Sequence, residues 1–286
     1  MRASSVRRAI LRIAFVIFAI GWLLAVIGIS RDMRLPIDER WAASALLILE
    51  GGIAVLWVAE VYAWRRAIAF AFVVLPLAFT VELIGVTTGF PFGHYHYTGA
   101  LIPLVVGRVP APITCAWLMI VLGSLVAARV YMPHARSGVT VIIAAALATG
   151  LDACLEPTAF HIKAYWLWAE TGPYYGVPTR NFVGWFVAAV IIIACAAHIL
   201  WRDGNPRPTR AMAIPLALYW STVVMFAVID FFRGYPGGAA IGGVFCLTAL
   251  PALARSLRRV QGHQPDMYAP SIPDSPAATS APNSRE

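Results

Sequence analysis

The sequence predicts an all-α protein, a polytopic membrane bundle of about eight transmembrane helices, and three observations carry that expectation. Of its 286 residues, 60% are hydrophobic and 13% charged, with a mean hydropathy of +0.73, whereas a soluble domain holds about 45–50% apolar and about 25% charged residues. A water-soluble fold has no interior large enough to hide that much apolar side chain. The apolar residues also fall in runs of about 20, the length that crosses a hydrocarbon core, and Lys and Arg gather between alternate runs.

The first run, Ala9–Ile29, follows Arg7 and Arg8. It has the charge pattern of a signal peptide but no small-x-small cleavage site, so a retained helix is expected. Further spans are placed at Ala42–Trp64, Ala67–Thr87, Pro112–Val130, Gly138–Glu156, Phe182–Trp201 and Ala211–Asp230. An eighth, Gly237–Ala254, is short and Gly-rich, which leaves a count of seven open, but Arg255, Arg258 and Arg259 give it the basic flank of a span. Residues 1–260 are read as a single transmembrane domain. The Pro/Ser/Ala-rich stretch 261–286 lacks apolar periodicity and is expected to be disordered.

Basic residues favour the side of the N-terminus by roughly two to one. Both termini are therefore expected in the cytoplasm and the loops 88–111, 157–181 and 231–236 outside, in the plasma membrane of a bacterium. The net charge of +8 is scattered between apolar runs rather than gathered into a stripe, so no nucleic-acid partner is expected. Cys115, Cys154, Cys195 and Cys246 each stand alone in a different run, as small core residues do.

Ionised carboxylates at mid-bilayer cost about 2.5–3.5 kcal/mol on the mildest scale, yet Glu50, Glu60, Glu82, Asp152, Glu156 and Asp230 all lie in or at the ends of spans. Alternating topology brings Glu82, Asp152, Glu156 and Asp230 toward one membrane face. Asp152 and Glu156, four apart, share a helix face where like charge opposes simultaneous ionisation. Pro157 disfavours helix at Glu156, which sets the pair where the fifth helix opens into its loop. The competing expectation is that these acids pair with Arg180, Lys163 or Arg233 as structural ties, Asp230 with Arg233 being the clearest case.

The outer loops are long and aromatic: Gly89 to Thr98 contains His94, Tyr95, His96 and Tyr97, and the stretch from Trp166 to Pro178 contains Trp168, Tyr174 and Tyr175. An interfacial aromatic belt explains part of this, but not His94, His96 and His161. Three histidines beside carboxylates are a weak metal signal, and the repeated His boxes of a membrane di-iron desaturase are absent. The reading taken is no metal, with His94 and His96 tuning a carboxyl.

Glu82 with Gly89–Tyr97, Leu151-Asp152 with Glu156-Pro157, and the block from Tyr174 through Val177, Pro178, Asn181 and Gly184 to Trp185 together resemble the membrane carotenoid-biosynthesis-protein family. Its characterised members are hydratases of bisanhydrobacterioruberin and γ-carotene, and the likeness runs from the second helix to the eighth. The resemblance implies a hydro-lyase without a cofactor that adds water across the terminal 1,2 double bond of an acyclic carotenoid end, giving a tertiary alcohol. Its partners would be that carotenoid, water, membrane lipid and other carotenoid enzymes.

Hydration of such an alkene needs an acid, a tertiary cation held without capture, and a directed water. The chemistry assigns Asp152 as proton donor, with Glu82 and Glu156, aided by His94 or His96, holding the water. Tyr95, Tyr97, Trp166, Trp168 and Trp185 would face the cation, with Tyr174, Asn181, Asp230 and Arg233 completing the substrate-binding set. The alternative is a transporter or proton-coupled carrier using the same acids, a reading that Glu50 fits better than it fits hydration.

Overall fold

The computed structural model describes residues 2–33, 38–202 and 210–261; the stretch 262–286 of the expected disordered tail lies outside them. Its helices are α1 (Arg2–Ser30), α2 (Glu39–Val61), α3 (Trp64–Thr88), α4 (Ala111–Tyr131), α5 (Ser137–Glu156), α6 (Thr179–Leu200), α7 (Ala213–Arg233) and α8 (Pro236–Gln261). Seven of these, α1 to α7, are long and apolar enough to cross a membrane, while the described apolar part of α8, Pro236–Thr248, is shorter. The protein is a polytopic helical membrane bundle.

The boundaries follow local chemistry. Asp38 caps α2 by accepting from the Arg40 N–H at 3.0 Å. Pro112 sits in the first turn of α4, where its missing N–H costs no hydrogen bond. Gly89, with φ 77°, supplies the left-handed residue that ends α3. The fifth span differs from expectation: the chain stays helical beyond Glu156, passing into one π turn, Pro157–Ile162. A shift to wider register at Pro157 leaves the proline in the opening turn, where it needs no donor, and Lys163 N–H closes on the Thr158 carbonyl at 2.9 Å.

Helix α4 is buried nearly all round and forms the axis of the bundle. The surrounding helices turn large apolar side chains outward, among them Ile13, Ile17, Leu24, Phe72, Val183, Ile191 and Phe231, as lipid-facing surfaces do. Close approach to the axis uses small residues. A Cβ on Gly51 would lie 2.5 Å from the Cys115 carbonyl oxygen, so only glycine lets α2 press this closely on α4.

The long loops carry secondary structure of their own. Strands β1 (Tyr95–Tyr97) and β4 (Trp166–Trp168) pair antiparallel, with Tyr95 opposite Trp168 and Tyr97 opposite Trp166. A smaller ribbon joins β2 (Leu104–Val105) to β3 (Val109–Pro110). The β1–β4 ribbon caps one end of the bundle. Gly85 of α3 and Gly184 of α6 make room for it: a Cβ on either would meet the Phe92 ring at under 3 Å, and the one on Gly85 would also meet the Tyr95 hydroxyl at 2.8 Å.

Candidate functional site

Beneath the ribbon lies a cavity of about 810 Å³, its mouth included, ringed by α2, α3, α5, α6 and α7 against the axial α4. Aliphatic and aromatic side chains make most of its wall. Three carboxyls break that wall, from Glu50, Glu82 and Glu156, each 4% exposed or less.

The alternation of a strand explains how the ribbon meets these acids. Successive residues point to opposite faces, so Tyr95 and Tyr97 both face inward. Their hydroxyls donate to the same Glu82 carboxylate oxygen, each at 2.8 Å, while Trp117 Nε1 of α4 donates to the other at 3.2 Å. Burial first, then the Glu82 charge, pushes both tyrosine hydroxyls well above the ordinary phenol range, so both keep their protons and act as donors. Across the ribbon, β4 does the same for Glu156: Trp166 and Trp168 each donate an indole N–H to Oε2 at 3.3 Å, and Asn181 Nδ2 donates to Oε1 at 3.2 Å. One two-stranded ribbon thus supplies four of the six donors that hold the two carboxylates.

Depth follows from helix rise. Glu82 stands six residues before the end of α3, about 9 Å in from that face, and Glu156 immediately precedes the π turn that ends the fifth span. Glu50, eleven residues into α2, and Thr222, eleven before the end of α7, lie about 17 Å in, near mid-membrane. Thr222 Oγ1 is 3.4 Å from Glu50 Oε1, and Glu50 Oε2 has no partner among the described residues. Aromatic faces surround the upper carboxylates, with Trp117 stacked on Trp185 at 4.4 Å between ring centres and Tyr95 5.2 Å from Trp168.

Of the residues singled out in the sequence, Glu82, Glu156, Tyr95, Tyr97, Trp166, Trp168, Asn181 and Trp185 converge on this cavity. Others do not. Asp152 is fully buried but outside the lining, behind Asn181, whose Nδ2 reaches both Asp152 Oδ2 at 2.8 Å and Glu156. A helix face shared at i, i+4 puts one member a turn deeper, and here that turn takes it behind the wall. His94 and His96 are exposed, on the opposite face of the strand from the tyrosines, and neither reaches a cavity acid. Tyr174 donates to the Ala153 carbonyl at 2.7 Å rather than facing the cavity.

Asp230 and Arg233 part company. Asp230 accepts from Thr158 Oγ1 at 2.7 Å, while Arg233, most of a turn further on, binds Asp32 and the Ile29 carbonyl at the end of α1. The expected Asp230–Arg233 tie is not formed. His161 bonds the Tyr175 carbonyl and stacks on Tyr235, and Arg180 pairs with Glu170. Among the described residues no three His, Cys, Asp or Glu side chains gather as metal ligands would. Trp117 and Thr222 line the site without a sequence signal beyond apolar or helical context; Phe92 belongs to the aromatic Gly89–Tyr97 stretch, and Glu50 had its charge at mid-span.

The sequence model of the carotenoid biosynthesis protein family matches residues 42–249. The chain belongs to that family. Similar to it is a protein of Haloarcula japonica named bisanhydrobacterioruberin hydratase, 30% identical over 171 residues, which are 59% of this chain and 57% of the relative. The alignment therefore spans little more than half the relative's length. No solved structure matches. The carotenoid biosynthesis match opens within α2 and contains every residue of the cavity wall, from Leu47 to Phe226, leaving out α1.

Proposed function

We propose that this member of the carotenoid biosynthesis family hydrates the terminal 1,2 double bond of an acyclic carotenoid end through a tertiary carbocation. The observation that carries the reading is the pairing of two carboxylates, each fixed by three donors, with aromatic faces at the polar end of an otherwise apolar cavity inside a membrane bundle. The chemistry asks for that combination. The end group arrives from lipid, aromatic faces stabilise developing positive charge by about 0.5–2 kcal/mol each, and a carboxylate orients water and takes its proton.

Glu82 and Glu156 suit the second task, because their partners are all donors and leave each carboxyl to act as an acceptor. Asp152 supports Glu156 through the shared Asn181 amide rather than touching substrate. The name of the Haloarcula relative supports the same reaction class. The charge asymmetry of the loops supports a topology with this end of the bundle outside the cytoplasm.

A carrier would use the same buried acids, but the cavity wall runs from the ribbon to the level of Glu50 and Thr222, about half the bundle. That shape fits an end-group pocket better than a path across.

The test is expression in a bacterium engineered to make lycopene or γ-carotene, with extracts analysed by mass spectrometry. Hydration gives products heavier by one water. A membrane-inserted protein that forms none from either substrate would refute the proposal.

A further inference from the structure

Glu82 and Glu156 each accept three hydrogen bonds from fixed donors, which leaves each about one of its four lone-pair sites open, so each is set to take a proton from water rather than to give one to the alkene. Glu50 differs. It is 1% exposed, it lines the cavity, and its Oε2 has no partner among the described residues. Its hydrogen-bond contact among the described residues is Thr222, whose hydroxyl also lies 2.9 Å from the Leu218 carbonyl one turn back. A hydroxyl has a single proton to give. When Thr222 spends it on Leu218, the lone pair left at 3.4 Å from Glu50 suits a carboxyl that carries its own proton.

We propose that Glu50 is the catalytic acid of the site, protonating the less substituted carbon of the terminal alkene. The proposal rests on the hydration reading above. Depth agrees with it. With the end group directed to the polar ribbon and the polyene trailing into the bilayer, the carbon to be protonated is the one nearer the chain, on the Glu50 side. The carbon that takes water faces Glu82 and Glu156, Glu82 being about 8 Å nearer the surface along the helix axes. Gly51 contributes indirectly, since its lack of a side chain seats α2 against α4 and sets Glu50 into the cavity wall.

The step balances without a further reagent. The Glu50 O–H bond breaks, the π pair forms the new C–H bond, and the adjoining carbon becomes a tertiary cation. Water forms the C–O bond, its surplus proton passes to Glu82 or Glu156, and a proton returns to Glu50 before the next turnover. The sum is alkene plus water giving alcohol.

The experiment compares purified wild type, Glu50→Gln, Glu50→Leu and Glu50→Asp in lipid nanodiscs loaded with lycopene. Bound polyene is read from its visible spectrum and hydration by mass spectrometry. Glu50→Gln and Glu50→Leu should keep the bound polyene and hydrate at least about 100-fold more slowly, as loss of a general acid does. Glu50→Asp should recover part of the rate with a displaced pH profile. Glu50→Leu guards against misfolding, because it removes a buried polar group rather than adding one. Hydration within about tenfold of wild type by the Gln or Leu variant overturns the role, as does loss of bound polyene from both. A wild type inactive on lycopene and γ-carotene overturns the hydration reading and this role together, so the two failures are told apart.

Discussion

The two halves of the bundle treat buried charge in opposite ways. In the half that contains the α4–α5 turn, Arg129 is 1% exposed, yet its terminal nitrogens are committed: Nη1 to the Pro133 and Ala135 carbonyls, each at 3.1 Å, and Nη2 to Thr140 at 3.0 Å. Its guanidinium also lies 4.9 Å over the Trp201 ring. Glu60, near the same face, is paired with Arg7 and Arg8. In the ribbon-capped half, Glu82 and Glu156 are held by fixed donors in the wall of the cavity that they line. Arg129 closes a turn; Glu82 and Glu156 line a cavity. Burial alone does not separate these uses, but whether the charged group lines the cavity does.

That contrast is open to test by removing one polar group from each half. The largest effect is expected from Glu82→Gln, which puts an amide among three donors and removes the acceptor of the water proton. Hydration should fall by about 100- to 10,000-fold while the protein still accumulates in the membrane, as shown by product analysis normalised to membrane abundance. A variant that retains a tenth or more of the activity would remove Glu82 from the reaction.

Tyr97→Phe takes away one of the three donors and should cost about 1–2 kcal/mol at Glu82, roughly tenfold in rate, with Tyr95→Phe similar. Combining them should cost less than the product of the two, because both hydroxyls meet the same oxygen. Arg129→Met should behave in the reverse sense. It strands two backbone carbonyls and Thr140, lowering stability by about 1–3 kcal/mol, visible as an earlier thermal transition in nanodiscs. Rate per folded molecule should stay within about twofold. A rate loss beyond tenfold at unchanged stability would break the division between the halves.

Legibility in the sequence divides along physical lines. Spans were readable because bilayer thickness fixes their length, and all seven long ones fall close to the apolar runs. The carboxylates were readable because charge in lipid is costly. Which acids share a cavity was not. Asp152 and Glu156 look equivalent on a helical wheel, but Glu156 stands at the wall and Asp152 a turn deeper, behind an Asn181 that a separate helix supplies. The pairing of Asp230 with Arg233 failed for a related reason: three residues along a helix permit contact, but Asp32 offered Arg233 a partner from α1 that sequence spacing cannot reveal. Glu50 and Trp117 lie in apolar runs whose cavity exists only once α2, α4 and α7 are packed together.

The finest contrast lies within one strand. His94 and His96 alternate with Tyr95 and Tyr97, and a period of two sends the imidazoles to the exposed face and the phenols to Glu82. The histidines drew attention in the sequence because imidazole titrates near neutrality, but chemistry requires reach, and the strand denies it to them. His96→Ala and His94→Ala should therefore leave hydration within about twofold of wild type, far below the factor expected for loss of a general acid or base. His94 retains a structural part, since its peptide N–H binds Glu170 at 3.1 Å and its ring lies against Gly89. Alanine keeps the first contact and loses the second, so a small fall in thermal stability is expected for that variant alone. A tenfold loss of rate in His96→Ala, whose side chain is exposed, would mean that the ribbon turns over during the reaction and brings its outer face to the substrate.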